Sequence, residues 1–251
     1  MAKLIRYLFL IFLLIFIVTF FTRNNVRGVG EIAPDVLRPP LQQELSPKKP
    51  FTFVKDDYEY RLSPLYYYSI SGIVVSKINY KRFSIYKESS AFPIDLCMIW
   101  GDNAKTRVHQ NRGVKFSQDC RWCWVDWQGN VNFNLAEISN SHLLVNNKDL
   151  ERVMNALVVG DQIKIRGKLV DVDARPLGKV KQGSLRDLSW STSTIRTDQG
   201  AGACEVIYVD DIKILKKANV ISRSLFLMSM YGLIALAVFS GSRFLWSLFA
   251  S

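Results

Sequence analysis

The residues with the most chemical potential in this chain are its four cysteines, Cys97, Cys120, Cys123 and Cys204, and its two histidines, His109 and His142. The stretch "SQDCRWCWVDW", residues 117–127, sets a Cys-x-x-Cys pair among three tryptophans. A redox pair of the thioredoxin kind needs its first cysteine at a helix N-terminus, where dipole and amides stabilise a thiolate. The flanking residues read as strand, which disfavours that chemistry. A structural zinc site needs four converging ligands, usually as two close pairs. Cys97 and Cys204 stand alone, so no metal or other cofactor is expected. An even cysteine count in an oxidising compartment favours disulfides. A Cys120–Cys123 bond would close only a tiny loop. Each is therefore expected to join a distant partner, with Cys97 and Cys204 the candidates; one bridge plus two free thiols is a further arrangement.

A second chemistry draws on Cys204, His142 and Arg196, the last in "STIRTDQGAGAC". In acyl transfer the cysteine would be the nucleophile, the histidine the acid/base and the arginine the oxyanion partner. These residue types are similar to those of sortase-like transpeptidases, which also work from a β-barrel beside a membrane. That family places its arginine after the cysteine and carries a Thr-Leu-x-Thr-Cys motif, and neither holds here. There is no Gly-x-Ser-x-Gly elbow, His-Glu-x-x-His pair or phosphate-binding glycine loop.

The elements that would position these groups fall into three regions. Met1–Phe21 and Ser224–Ser251 contain no acidic residue, so all 22 Asp and Glu lie between them. Residues 1–21, "MAKLIRYLFLIFLLIFIVTFF", are long enough to span a bilayer, which takes about 20 apolar residues in helix. No small-x-small cleavage site follows, so an uncleaved anchor is expected over a signal peptide. Residues 224–248 form the second span. Arg243 and Trp246 suit an interfacial anchor, and Gly232, Ala235 and Ala237 offer a small-residue face for another helix. Lys3 and Arg6 favour a cytoplasmic N-terminus. Arg23, Arg27, Lys216, Lys217 and Arg223 oppose it, but long loops translocate largely regardless of charge. Residues 22–223 are therefore expected outside the cytoplasm, in the periplasm of a bacterium, with the anchor in the inner membrane.

Residues 22–50 carry prolines at 34, 39, 40, 47 and 50 and read as a semi-rigid tether. Residues 51–217 read as a β-rich domain. Tyr58, Tyr60 and Leu62 alternate in the manner of a half-buried strand. Further strands are expected at 96–100, 121–127, 131–135, 161–172 and 205–215, with "QGN" at 128–130 as a hairpin turn. In "NNKDLERVMNAL", Leu150, Val153, Met154 and Leu157 recur at helical spacing behind an asparagine cap. The fold class is mainly β: an OB-like small barrel with one helix and an inserted loop, flanked by two transmembrane helices.

The loop between the spans holds 30 basic and 22 acidic residues. Lys164, Arg166 and Lys168 alternate with apolar residues and must share a face. With Lys179, Lys181, Arg186 and Trp190 they form a candidate surface for an anionic partner, nucleic acid being disfavoured for an extracytoplasmic loop. The strings "SISGIVVS", "DLCMIWGDN", "SNSHLL", "GDQIKIRGKL" and "STSTIRTDQGAGACEVIYV" resemble a group of bacterial membrane-anchored proteins with an OB-like β domain; the resemblance implies an envelope location and no activity. Binding or scaffolding, with the lipid bilayer and other envelope proteins as partners, is the first expectation. A cysteine transpeptidase or hydrolase using Cys204 and His142 is the second, and an oligonucleotide-binding module in a cytoplasmic loop the third.

Overall fold

The computed structural model describes residues 2–55, 58–80, 92–119, 121–177, 187–200 and 202–249, with side chains undescribed at 2 and 243–249. Cys120, Lys179, Lys181 and Arg186 lie outside the described residues, as do the side chains of Arg243 and Trp246. The protein is mainly β, with a mixed sheet and two apolar terminal helices.

Helices α1 (Ala2–Thr22) and α4 (Val220–Phe249) are long and apolar enough to cross a membrane, with mean hydropathies of 2.7 and 1.8 over their spans. They pack antiparallel against each other. Phe16 stacks on Phe226 with ring centroids 4.9 Å apart. The Phe12 ring sits where Gly232 leaves room, since a Cβ there would come within 2.7 Å of it. The small-residue face expected on the second span thus receives the first span.

Between them lie ten strands among the described residues: β1 (Leu41–Glu44), β2 (Phe51–Lys55), β3 (Tyr58–Asn79), β4 (Ile94–Ile99), β5 (Val114–Asp119), β6 (Trp122–Trp127), β7 (Ile138–Leu144), β8 (Gln162–Pro176), β9 (Leu188–Trp190) and β10 (Glu205–Lys216). The main sheet runs β1-β3-β4-β7-β10-β8-β9, β2 adds to β3, and β3 also pairs with β8. All of its pairs are antiparallel except β7 with β10. Strand β3 opens on a clean alternation: Tyr58, Tyr60 and Leu62 are buried while Glu59 and Arg61 face out, as the two-residue period of a strand requires. Gly167 on β8 is required by a close approach, because a Cβ would meet the Tyr208 carbonyl oxygen of β10 at 2.1 Å.

Helix α2 (Gly101–Lys105) follows β4, and α3 (Lys148–Ala156) lies between β7 and β8. Asn147 caps α3 by accepting from the Asp149 and Leu150 amides, and Leu150, Val153, Met154 and Leu157 pack on Tyr68, Leu96, Ile163, Ile165 and Leu169. This is the amphipathic helix that the spacing predicts, and its apolar stripe is core.

Two expectations give way. Residues 22–50 are not an extended spacer: Val29, Ala33 and Val36 are buried against Ile73, Cys97 and Ile99, and β1 pairs with β3. Prolines deny backbone donors but do not prevent the apolar residues between them from packing. The hairpin expected around 128–130 is also displaced. The partner of β6 is β5 upstream of it, because Val114 and Phe116 supply an alternating strand, and 131–135 has no ladder partner.

Candidate functional site

Strand β4 is buried along its whole length, yet it carries Asp95. An acid in a buried strand must find partners, since desolvation of an unpaired charge costs several kcal/mol. Register supplies the first one: Asp95 lies directly opposite His142 on β7, and Cys97 opposite Asn140. Strand β10 joins the other side of β7 in parallel, with Glu205 beside Ser141 and Val206 beside His142. Cys204, one residue before β10, thereby reaches the face that carries Asn140 and His142.

The resulting geometry is compact. His142 Nδ1 lies 2.9 Å from Asp95 Oδ1, with the carboxylate off the line of the ring N–H, so the contact is an ion pair and not a straight hydrogen bond. The same Oδ1 takes Arg121 Nη1 at 3.2 Å, and Oδ2 accepts from the Tyr80 hydroxyl at 2.8 Å. The Arg121 guanidinium stacks over Tyr80 and Phe92, 4.5 and 5.0 Å from their ring centroids. The Asn140 amide donates to the Arg121 carbonyl at 2.5 Å and to Cys204 Sγ at 3.2 Å, which occupies both of its hydrogens.

His142 is buried beside both Asp95 and Cys204. Burial is the largest single influence and opposes its charged form, but Asp95 and Cys204 together outweigh it and push its pKa up to about 9. His109 behaves in the opposite way. It is buried beside Arg107 without a partner for either ring nitrogen among the described residues, and burial drives its pKa down to about 4.

Cys204 is a free thiol, partly exposed, at the edge of a groove of about 260 Å³ lined by Trp122, Trp124, Leu135, Ile138, Asn140 and Gly200. Cys123 borders the same groove. Its sulfur lies at disulfide distance from Cys97, with the Cα atoms 5.8 Å apart. One bridge to a distant partner is therefore present, and it runs to Cys97 while Cys204 stays free.

The structure brings Cys204 and His142 together and takes Arg196 elsewhere. Arg196 pairs with Glu205 Oε1 at 2.5 Å and stacks over Tyr68 and Trp100. Neighbouring residues of an extended chain point to opposite faces, so the partner of Glu205 is not the partner of Cys204. Burial raises the Glu205 carboxyl to about 7, and Arg196 only partly offsets that. The oxyanion role assigned to Arg196 falls away. The residues that replace it in the network, Asp95, Asn140 and Arg121, were visible only as an acid in the apolar run "FPIDLCMIW" and as the residue after Cys120.

Among the described residues, the basic side chains of the anionic-partner surface are paired. Lys164 pairs with Asp35 at 3.1 Å, Arg166 with Asp211 at 2.6 Å and Lys168 with Asp210 at 2.5 Å. Trp190 is no free stacking residue, because its ring meets Phe92 edge-on at 4.7 Å within the core. No family model matches the chain, and no curated protein and no solved structure is significantly similar to it.

Proposed function

We propose that this chain is a membrane-anchored cysteine enzyme of acyl transfer or hydrolysis, with Cys204 as nucleophile, His142 as acid/base and Asp95 as the group that holds the imidazole. The observation that carries this reading is that Cys204, which lines the groove, has behind it the buried His142 and Asp95, paired across the β4–β7 ladder. Titratable groups with displaced pKa values in a cleft mark functional sites more often than structural ones.

In the proposed reaction His142, already protonated at neutral pH because its pKa is raised to about 9, is the counter-cation of a Cys204 thiolate whose proton has gone to solvent. Sγ attacks the carbonyl carbon of an ester, thioester or amide, and the C–O, C–S or C–N bond breaks as His142 protonates the leaving group. As Sγ bonds to carbon, the Asn140 N–H that had donated to it is released toward the developing oxyanion. Water or a second nucleophile then releases the acyl group from Cys204. Asp95 keeps the imidazolium in place, and Arg121 and Tyr80 keep Asp95 in place.

An OB-like small barrel is the architecture that fits this reading. Its support is the pairing order β3-β4-β7-β10-β8 and back to β3, with α3 between β7 and β8, the third and fourth of these five strands in chain order. A bacterial inner-membrane location with residues 22–223 in the periplasm is supported by the Cys97–Cys123 pair, since disulfides persist in oxidising compartments. The lipid bilayer is then the standing partner, through α1 and α4.

Binding or scaffolding keeps one specific observation of its own: Trp122, Trp124 and Trp127 are all exposed on β6, an aromatic surface of the kind found at protein contacts. The nucleic-acid alternative loses support from the paired basic strand. The deciding experiment is labelling of the full-length protein with an acyl-transferring electrophilic probe. The enzyme reading expects a thioester on Cys204 that His142→Gln suppresses. Labelling that is absent from native protein and appears only on unfolding leaves scaffolding as the function.

A further inference from the structure

Three sulfurs border one small region. Cys123 and Cys204 line the same groove, and Cys97 holds Cys123 from the sheet beneath. Asn140, directly opposite Cys97 in the β4–β7 register, donates to Cys204 Sγ. We infer that Cys204 exchanges with the Cys97–Cys123 bridge, so that the domain carries an internal thiol–disulfide equilibrium in which the Cys204 nucleophile is alternately free and masked. The masking rests on the reading of Cys204 as a nucleophile; the exchange itself does not.

The chemistry is balanced without an external oxidant. Cys204 loses its proton to solvent beside the His142 imidazolium, and Sγ attacks the Cys123 sulfur. The Cys204–Cys123 bond forms as the Cys97–Cys123 bond breaks, and the electron pair leaves on Cys97, which takes up a proton. One disulfide and one thiol stand on each side of the step. The sulfur attacked is that of Cys123, for two reasons. It borders the groove, whereas Cys97 is fully buried. It also sits on the β5–β6 hairpin, a two-stranded sheet outside the main ladder. That hairpin can bring Cys123 toward Cys204 without breaking a main-sheet hydrogen bond, whereas Cys97 is fixed on β4 between β3 and β7.

The test uses full-length protein carrying Cys120→Ser, acid-quenched, alkylated and mapped for disulfides by mass. A peptide pair linking Cys123 to Cys204, with free Cys97 in equal amount, is expected to appear within about an hour at neutral pH. Adding Cys97→Ser and oxidising with diamide should abolish Cys204 alkylation through a Cys123–Cys204 bond. Adding Cys123→Ser instead should leave Cys204 alkylatable. Finding only the Cys97–Cys123 link, with Cys123 and Cys204 both alkylatable after diamide in the Cys97→Ser protein, overturns the exchange. Exchange in a protein that gives no acyl-probe adduct counts against the enzyme reading alone.

Discussion

Asp95→Asn is the most informative single substitution, because Asp95 is the charge on which His142, Arg121 and Tyr80 converge. Asparagine keeps the shape and removes the charge. The interval between the ordinary histidine value of 6.5 and about 9 corresponds to about 3 kcal/mol of preference for the charged form. A group whose folded pKa is raised contributes stability that is complete below its unfolded value and is lost as pH rises through the folded one. Wild-type stability should therefore fall by about 3 kcal/mol between pH 6.5 and 9 on this group's account. In Asp95→Asn, burial still opposes the imidazolium while the main partner is gone. The His142 pKa should drop well below 9, the decline across that window should flatten, and stability at neutral pH should fall by about 3–5 kcal/mol from the unpaired Arg121 and His142. The chain has only two histidines, so a ring-carbon NMR titration in detergent micelles is assignable. One resonance should move near pH 4 for His109 and the other near pH 9 for His142. Two titrations near 6.5 would refute the electrostatic reasoning, as would a His142 curve that Asp95→Asn leaves in place.

Three further outcomes are expected. Reducing the Cys97–Cys123 bridge, which spans 26 residues, should lower stability by about 3 kcal/mol on the chain-entropy model, read as a lower urea midpoint with a steeper slope, since the released unfolded chain exposes more surface. Gly232→Leu should force α4 away from Phe12 and destabilise the helix pair by about 1–3 kcal/mol, measured by thermal unfolding in micelles, whereas Gly241→Leu, at a position open on all sides, should not. Arg166→Ala breaks an exposed pair with Asp211 and should cost no more than about 1 kcal/mol; a larger shift in the denaturant midpoint would give the basic strand a structural role that its exposure does not suggest.

The elements were legible where one period dominates. The α3 stripe and the Tyr58–Tyr60–Leu62 alternation follow from spacing because each buries one face, and both apolar spans follow from length and unbroken hydropathy. The packing of residues 22–50 was not, since the i, i+4, i+7 spacing of Val29, Ala33 and Val36 is interrupted by Pro34 and forms no long helix, and their partners lie far along the chain on β3, β4 and β8. The displaced hairpin shows the same limit: "QGN" is sound turn chemistry, and Gly129 does adopt φ of +77°, but tertiary pairing chose the upstream strand. At the site, Cys204 and His142 could be paired by residue type. Asp95, Asn140 and Arg121 could not, because their proximity is a product of the β4–β7 register and the parallel β7–β10 contact. Arg196 was misassigned for a related reason: nearness in sequence to Cys204 does not survive the alternation of a strand.

The central claim is that Cys204 is a free thiol served by His142, and the rate of native-state alkylation at Cys204 by iodoacetamide tests it most directly. Labelling of the full-length protein at neutral pH should be fastest at Cys204, with Cys123 alkylated only after reduction. His142→Gln should slow that labelling by about 100-fold, the lower range for loss of a positioned acid/base. Equal rates in wild type and His142→Gln, or a Cys204 that reacts no faster folded than unfolded, would contradict the account.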